Sequence, residues 1–334
     1  MRIIRAALLA FAALSGATAV QAAEPPVLTV YTYSSFTADW GPGPAVKKAF
    51  EAQCACRLDF VALGDGVELL TRLRLEGKST KADVVLGLDF NLAAEAARTG
   101  LFAPHAVDLS ALRLPVPWTD ELFVPFDYGY FAFVYDKNKL ADPPTSLKAL
   151  VEGDPAQKIL IEDPRTSTPG LGLLLWVRQV YGDQAADAWA KLHRRILTVS
   201  KSWDEAYGLF LKGEAPLVLS YTTSPAYHVI AEKKDNYAAA EFSEGHYLQV
   251  EIAGRIAGST QPELAQRFLG FVASPDFQAI IPTTNWMYPV LPPKDGLPAV
   301  FDAYKPAKAL LYPSAEVAAH SHDWIQEWLT GMSR

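Results

Sequence analysis

Cysteine is nearly absent from this chain: Cys54 and Cys56 are the two in 334 residues. No four-ligand spacing of cysteine and histidine accompanies them, which argues against a structural zinc site. The six histidines form no H-E-x-x-H motif, and only His320 and His322 stand close together, so a zinc hydrolase is excluded on similar grounds. A basic tract is also missing, and the formal net charge is −7. Such a chain is a poor nucleic-acid binder, and its field mildly favours cationic solutes. The G-x-x-x-x-G-K-[ST] loop of a nucleotide hydrolase does not occur, nor does a G-x-S-x-G elbow around Ser167 or Ser224. Neither serine can be assigned a histidine base, and nothing fixes the carboxylate separation that glycoside hydrolysis needs. Beyond residue 22, no stretch is long and apolar enough to span a bilayer.

What is present is apolar bulk. Half of the residues are hydrophobic, enough for one large core or two medium ones. Arg2 and Arg5 precede the apolar run Ala6–Leu14, and Val20-Gln21-Ala22 offers small residues at a cleavage site. Residues 1–22 are therefore expected to be a secretory signal peptide removed before Ala23. A lipoprotein or membrane anchor is the alternative, but no cysteine lies nearby to be lipidated. Removing Arg2 and Arg5 takes the charge from −7 to −9. The mature chain is expected to be soluble and exported to a bacterial periplasm. In that compartment Cys54 and Cys56 could close a tight ring, or stay reduced or pair between molecules; their spacing leaves these open.

Strand and helix patterns alternate along the mature chain. Val27–Tyr33 reads as a strand, Ala45–Glu51 as a helix after Gly41-Pro42-Gly43-Pro44, Arg57–Leu63 as a strand, Val67–Leu75 as a helix and Ala82–Leu86 as a strand. This order predicts an α/β architecture with a largely parallel sheet. The β-forming run Phe126–Tyr135 is expected to make a first crossing between two lobes, and Tyr247–Ala253 a second. Between them lies a second α/β unit: a helix over Ser146–Glu152, strands at Ile159–Ile161 and Leu217–Ser220, and helices over Leu173–Val180, Ala185–Leu192 and Ala226–Glu232. The expected division is residues 23–125 with 251–334 as one discontinuous lobe, and 126–250 as the other. Trp176, Trp189, Trp324 and Trp328 sit in periodic helices and are assigned to packing.

In sheets of this kind, ligands collect beyond the carboxyl ends of the strands. That rule selects Tyr33, Trp40, Asp65, Gly66, Asp89 and Asn91, each of which also has a plain reading as core cover, turn or helix cap. After the strand at Ile159–Ile161, Asp163–Trp176 is a strand–loop–helix transition. Ser167, Thr168 and the unpaired N–H groups of the helix start there form an anion or polar-ligand cradle, or else an ordinary cap. Ser202 with Glu205 matches a capping box, which places Trp203 in a first turn from which it can reach a cleft. Tyr221, Thr222, Thr223, Ser224 and Tyr227 follow another strand, and Trp286 returns aromatic surface to a late loop. Two lobes that close on a solute with aromatic rings and helix starts describe transport binding rather than catalysis.

Eight of these stretches also resemble a known family: Val27–Tyr33, Asp39–Pro44, Lys81–Asp89, Val124–Leu140, Asp163–Gly172, Ser220–His228, Phe242–Glu251 and Asn285–Val290. They resemble the thiamine-binding proteins of bacterial ABC transporters, within the iron- and thiamine-type branch of two-lobed periplasmic solute-binding proteins. The likeness spans nearly the whole mature chain. It implies a type II periplasmic-binding-protein fold, two α/β lobes with a ligand cleft between them, and no catalysis and no cofactor. It implies thiamine, thiamine monophosphate and thiamine diphosphate as transported ligands, a membrane permease and its cytoplasmic ATPase as partners, and a monomer. Carried over by motif, ligand contacts fall on Asp65, Gly66, Ser167, Thr168, Trp203, Tyr221, Thr222, Thr223 and Ser224, with Tyr33, Trp40, Tyr227 and Trp286 as further pocket wall. Ser167 and Thr168 would take a phosphate, and Asp65 would accept from an N–H or hydroxyl. Two departures stand out: Gly64 replaces an acidic residue before Asp65, and the tail after Val290 matches loosely.

Overall fold

The computed structural model describes residues 24–334, so the expected signal peptide, residues 1–22, lies outside the described residues. Strand β1 (Val27–Tyr33) leads to helix α1 (Gly43–Cys54), which starts two residues before the expected helix. Pro44 sits in its first turn, where a missing N–H does no harm. A disulfide joins Cys54, at the end of α1, to Cys56. Strand β2 (Arg57–Leu63), helix α2 (Gly66–Glu76), strand β3 (Val84–Asp89) and helix α3 (Phe90–Arg98) follow. β1 lies between β2 and β3 and runs parallel to both.

The long strand β4 (Phe123–Asp136) opens a second unit of the same plan. It contains β5 (Ile159–Glu162), α4 (Thr168–Tyr181), α5 (Ala185–His193), β6 (Ile196–Ser200), α6 (Trp203–Leu211) and β7 (Leu217–Tyr221). Here β5 is the middle strand, parallel to β6 and β7. The expected helix over Ala226–Glu232 begins earlier, at Ser224, and widens into a π-helical turn over His228–Glu232. Strand β8 (His246–Ile256) then returns the chain to the first unit, followed by α7 (Pro262–Val272) and the closing helix α8 (Ser314–Met332).

The strand order is β2-β1-β3-β8-β4-β7-β5-β6. β8 runs antiparallel beside β3, β4 runs antiparallel beside β7, and the two pair with each other from Leu248 opposite Tyr130 to Gly254 opposite Phe123. Each lobe therefore borrows its fourth strand from a segment that crosses between lobes. β3 and β5 are buried at every position, as suits apolar runs that turn acidic only at their last residues, Asp89 and Glu162, while the edge strand β2 exposes several of its residues. The pairing of β8 slips twice: between Ile252 and Ala253 against β3, passing over Gly87, and between Glu251 and Ile252 against β4, passing over Phe126. Such irregularities re-aim side chains.

On one face of the first lobe, α1 and α7 bury Phe50 against Phe268, with ring centroids 4.9 Å apart. A larger core runs from Leu69 of α2 through Trp176 of α4 to Trp328 of α8 and joins the lobes. Trp176, Trp189, Trp324 and Trp328 all lie in it, as packing residues. α4 meets β4 at Gly172, where a Cβ would fall 2.0 Å from a Phe131 ring carbon. α8 packs on α3 from the first lobe and on α4 and α5 from the second. Residues 314–332 thus bridge the lobes, where the sequence division placed them wholly with the first.

Candidate functional site

The carboxyl ends of β1, β2 and β7, the start of α6, the middle of β8 and the loop after Ile281–Thr284 converge on one cavity of about 400 Å³. Its size suits a small organic ligand. The walls are aromatic. Trp203 stacks on Tyr207 with centroids 5.0 Å apart, stands 6.2 Å from Trp40, and donates its indole N–H to Ser220 Oγ at 2.8 Å. Trp40 is 49% exposed, at the mouth. Across the cavity Tyr227 and Trp286 meet edge to face at 5.4 Å. Trp286 has φ 58°, a left-handed backbone that a bulky side chain rarely takes, and its N–H donates to Ile281 O at 3.2 Å. Holding such a residue costs about 1–3 kcal/mol, and such strain gathers at ligand clamps.

A line of hydrogen bonds joins the lobes beside this cavity. Asp65, the residue before α2, accepts from Ser167 Oγ at 2.6 Å and from the Trp203 N–H at 3.0 Å. The Gly66 N–H donates to Thr168 Oγ1 at 3.1 Å, and the Glu68 N–H to Thr166 O at 3.1 Å. The Asp65 carboxylate takes the orphan donor of α6, and the expected capping box at Ser202 does not form: its side chain makes no cap bond. Burial pushes the Asp65 carboxyl up to about 7, against the pull of its two donors. The cradle expected at Ser167 and Thr168 is thus engaged within the protein. Ser167 is fully buried, caps α4 through the Gly170 N–H, and holds Asp65 rather than facing the cavity.

The floor is acidic. Glu251 and Asp127 are directly opposed on β8 and β4. Asn285 Nδ2 lies 2.6 Å from Asp127 Oδ2 and 3.1 Å from Glu251 Oε2, and the Tyr33 hydroxyl donates to Glu251 Oε2 at 2.9 Å. Burial pushes Asp127 up to about 7, and burial with the Asp127 charge beside it pushes Glu251 well above the usual carboxylate range. Both shifts favour the protonated form of the pair. Among the described residues that line the cavity there is no lysine, arginine or histidine. Its wall is therefore built for a positively charged aromatic ligand with hydrogen-bond donors.

Of the residues singled out in the sequence, Tyr33, Trp40, Asp65, Gly66, Thr168, Trp203, Tyr221, Ser224, Tyr227 and Trp286 line the cavity. Ser167, Thr222 and Thr223 do not, and the hydroxyls of Thr222 and Thr223 are buried without partners. Asp89 caps α3 by accepting from the Leu92 N–H, and Asn91 donates to Asp89, so that pair is structural. Sequence reasoning passed over Tyr207, Gln249, Glu251, Asn285 and Met287, which also line the cavity. A polar residue inside an otherwise apolar crossing strand, as at Gln249 and Glu251, is the one signal that could have found two of them.

Residues 79–318 match the family described as bacterial extracellular solute-binding protein. The chain is 65% identical over 310 residues to the thiamine-binding periplasmic protein of Escherichia coli K12, covering 92% of this chain and 94% of the relative. It is 45% identical over 339 residues to the thiamine-binding periplasmic protein of Haemophilus influenzae, covering all of both. A solved structure named periplasmic thiamin binding protein superposes with a TM-score of 0.90 at 64% identity, covering 93% of this chain and 97% of that one.

Proposed function

The chain belongs to the bacterial extracellular solute-binding protein family, and on that premise we propose that its cleft binds thiamine for import. As a member of that family it is a periplasmic transport component and not an enzyme. One observation carries the ligand reading: an aromatic cavity with a carboxylate floor and, among the described lining residues, no basic side chain. Thiamine is a flat thiazolium cation joined to an aminopyrimidine. The cation gains about 0.5–2 kcal/mol over a tryptophan or tyrosine face, and the amino group finds acceptors in the floor. Trp203 and Tyr207 on one side and Tyr227 and Trp286 on the other supply the faces.

Thiamine monophosphate and thiamine diphosphate are proposed as further ligands. Their phosphates would lie toward Thr168, which lines the cavity at the positive end of α4 and whose hydroxyl, accepting from the Gly66 N–H, keeps its own proton to donate. Delivery would be to a membrane permease driven by a cytoplasmic ATPase, with the monomer as the working unit, since the two lobes of one chain complete the cleft.

Calorimetric titration of ligand-stripped, refolded protein with the three thiamine species tests this reading, with a neutral sugar and ferric ion as controls. Tight one-to-one binding of a thiamine species is expected. Heat from the controls alone, or from none of the solutes, would overturn it.

A further inference from the structure

The floor of the cleft makes a more specific statement than its walls. Glu251 Oε2 is occupied by Tyr33 and Asn285, Oε1 accepts from neither, and Glu251 lines the cavity. Asp127 lies behind it, fully buried, with Oδ2 on Asn285 and no other donor on Oδ1, and the two carboxyls are hydrogen-bonded to each other. The groups that surround the pair are Tyr33 from β1, Tyr221 from β7, and Asn285. Asp89 of β3 is opposite Glu251 in register, but its carboxylate is turned into the cap of α3. None of these neighbours carries a positive charge. The pair therefore has no counter-ion within the site, and a proton is the only cation that the ligand-free protein supplies to it.

We propose that the Asp127–Glu251 pair is the charge-selecting element of the site: it holds a shared proton when the cleft is empty and releases it when a cationic ligand takes its place. This rests on the thiamine reading and deepens it. Selection would then be for the positive charge of the thiazolium ring rather than for its shape, because a neutral ring leaves the proton where it is. Both floor residues come from crossing strands, so they stay in place whichever way the lobes move.

Linkage gives the sign. With Asp127 pushed up to about 7 and Glu251 pushed well above the usual carboxylate range, a cation that releases a proton binds more tightly as pH rises toward neutrality. Its affinity falls, by at most about tenfold per pH unit, as pH drops below about 7. The test is calorimetry near pH 7 in two buffers of different ionisation enthalpy, PIPES and TES. The ligands are thiamine and its neutral analogue with thiophene in place of thiazolium. Release of about one proton per thiamine is expected, with none for the analogue. Glu251→Gln or Asp127→Asn should abolish the release and shrink the preference for the cation by about tenfold or more, and Asp89→Asn should retain both. Thermal melts check that each variant is folded, and either floor variant suffices.

Equal proton counts for the two ligands, or a cation preference that survives in a folded floor variant, would overturn the proposal and leave thiamine binding intact. Loss of proton release in Asp89→Asn would overturn the assignment to this pair. If neither ligand gives heat with folded protein, the thiamine reading fails instead. The pair is then read without ligand from carboxyl carbon resonances, where two separate titrations near pH 4 would overturn the shared proton.

Discussion

Trp203 is held from three sides at once: by Ser220 on its N–H, by Tyr207 beneath its ring and by Trp40 beyond its edge. It is half-buried and belongs to the cavity wall rather than the core. Trp203→Ala should weaken thiamine binding by about tenfold, the worth of one lost aromatic face, with little change in thermal midpoint. Titration and a melt read the two quantities, and unchanged affinity would remove Trp203 from the clamp. Ser167→Ala has a different expected outcome from the one its sequence context suggests. Loss of the bond to Asp65 and of the cap on α4 should destabilise the protein by about 1 kcal/mol and weaken thiamine and its phosphates alike. A loss confined to the phosphorylated forms would show that the hydroxyl meets the phosphate after all. At this scale the aromatic residues were legible because they follow strand ends. Thr222 and Thr223 turn inward and Glu251 turns toward the cavity for reasons set by strand pairing, which no local pattern encodes.

Among the elements, β1 and β2 have the bounds that their sequences announce, because β-forming runs and their flanks, Pro26 and Ser34-Ser35 for β1 and Gly64-Asp65-Gly66 for β2, are local signals. The cap of α6 departs from its local motif for the opposite reason. A capping box is a local motif, yet Asp65, from 138 residues away, takes the donor. β3 shows how an element positions a site residue. Gly87 has φ 105°, lies where the pairing of β8 slips, and leaves room for the Tyr33 ring, since a Cβ there would come 2.2 Å from Tyr33 Cδ1. Gly87→Ala should cost about 1–3 kcal/mol and displace Tyr33 from Glu251, so chemical denaturation and ligand titration should both register it. Retained stability with unchanged affinity would mean that the strand can flatten at no expense to the site.

For the molecule as a whole, buried carboxyls set the dependence of stability on pH. Asp65, Asp89 and Asp127 are pushed up to about 7, and Glu162 and Glu251 well above the usual carboxylate range, in every case chiefly by burial. Glu162 has no hydrogen-bond partner for either oxygen, as suits a neutral acid more than an anion. Groups whose folded values are raised bind protons more tightly in the native state. Their stabilising effect is complete below the unfolded carboxyl value of about 4 and is lost as pH rises through about 7. The ligand-free protein should therefore melt several degrees higher near pH 5 than near pH 8, and saturating thiamine should raise the midpoint more at the higher pH. A midpoint that rises with pH in the absence of ligand would contradict this. The two-lobed plan was legible from alternating elements and two long β-forming runs. The bridging position of α8 was not, because an amphipathic helix does not declare which partner its apolar face will meet.

The exchange of crossing strands also fixes an order in time. By Tyr221 the chain contains every strand from β4 to β7, so the second lobe has its four strands in hand, while β3 still presents a bare edge that only β8 can cover. Pulse-labelled hydrogen exchange during refolding should find Leu217–Tyr221 protected before Val84–Asp89, and the reverse order would refute the scheme. On a chain that emerges from its amino end, the lobe begun first is the lobe finished last, and its open edge must stay unpaired until the last third has arrived.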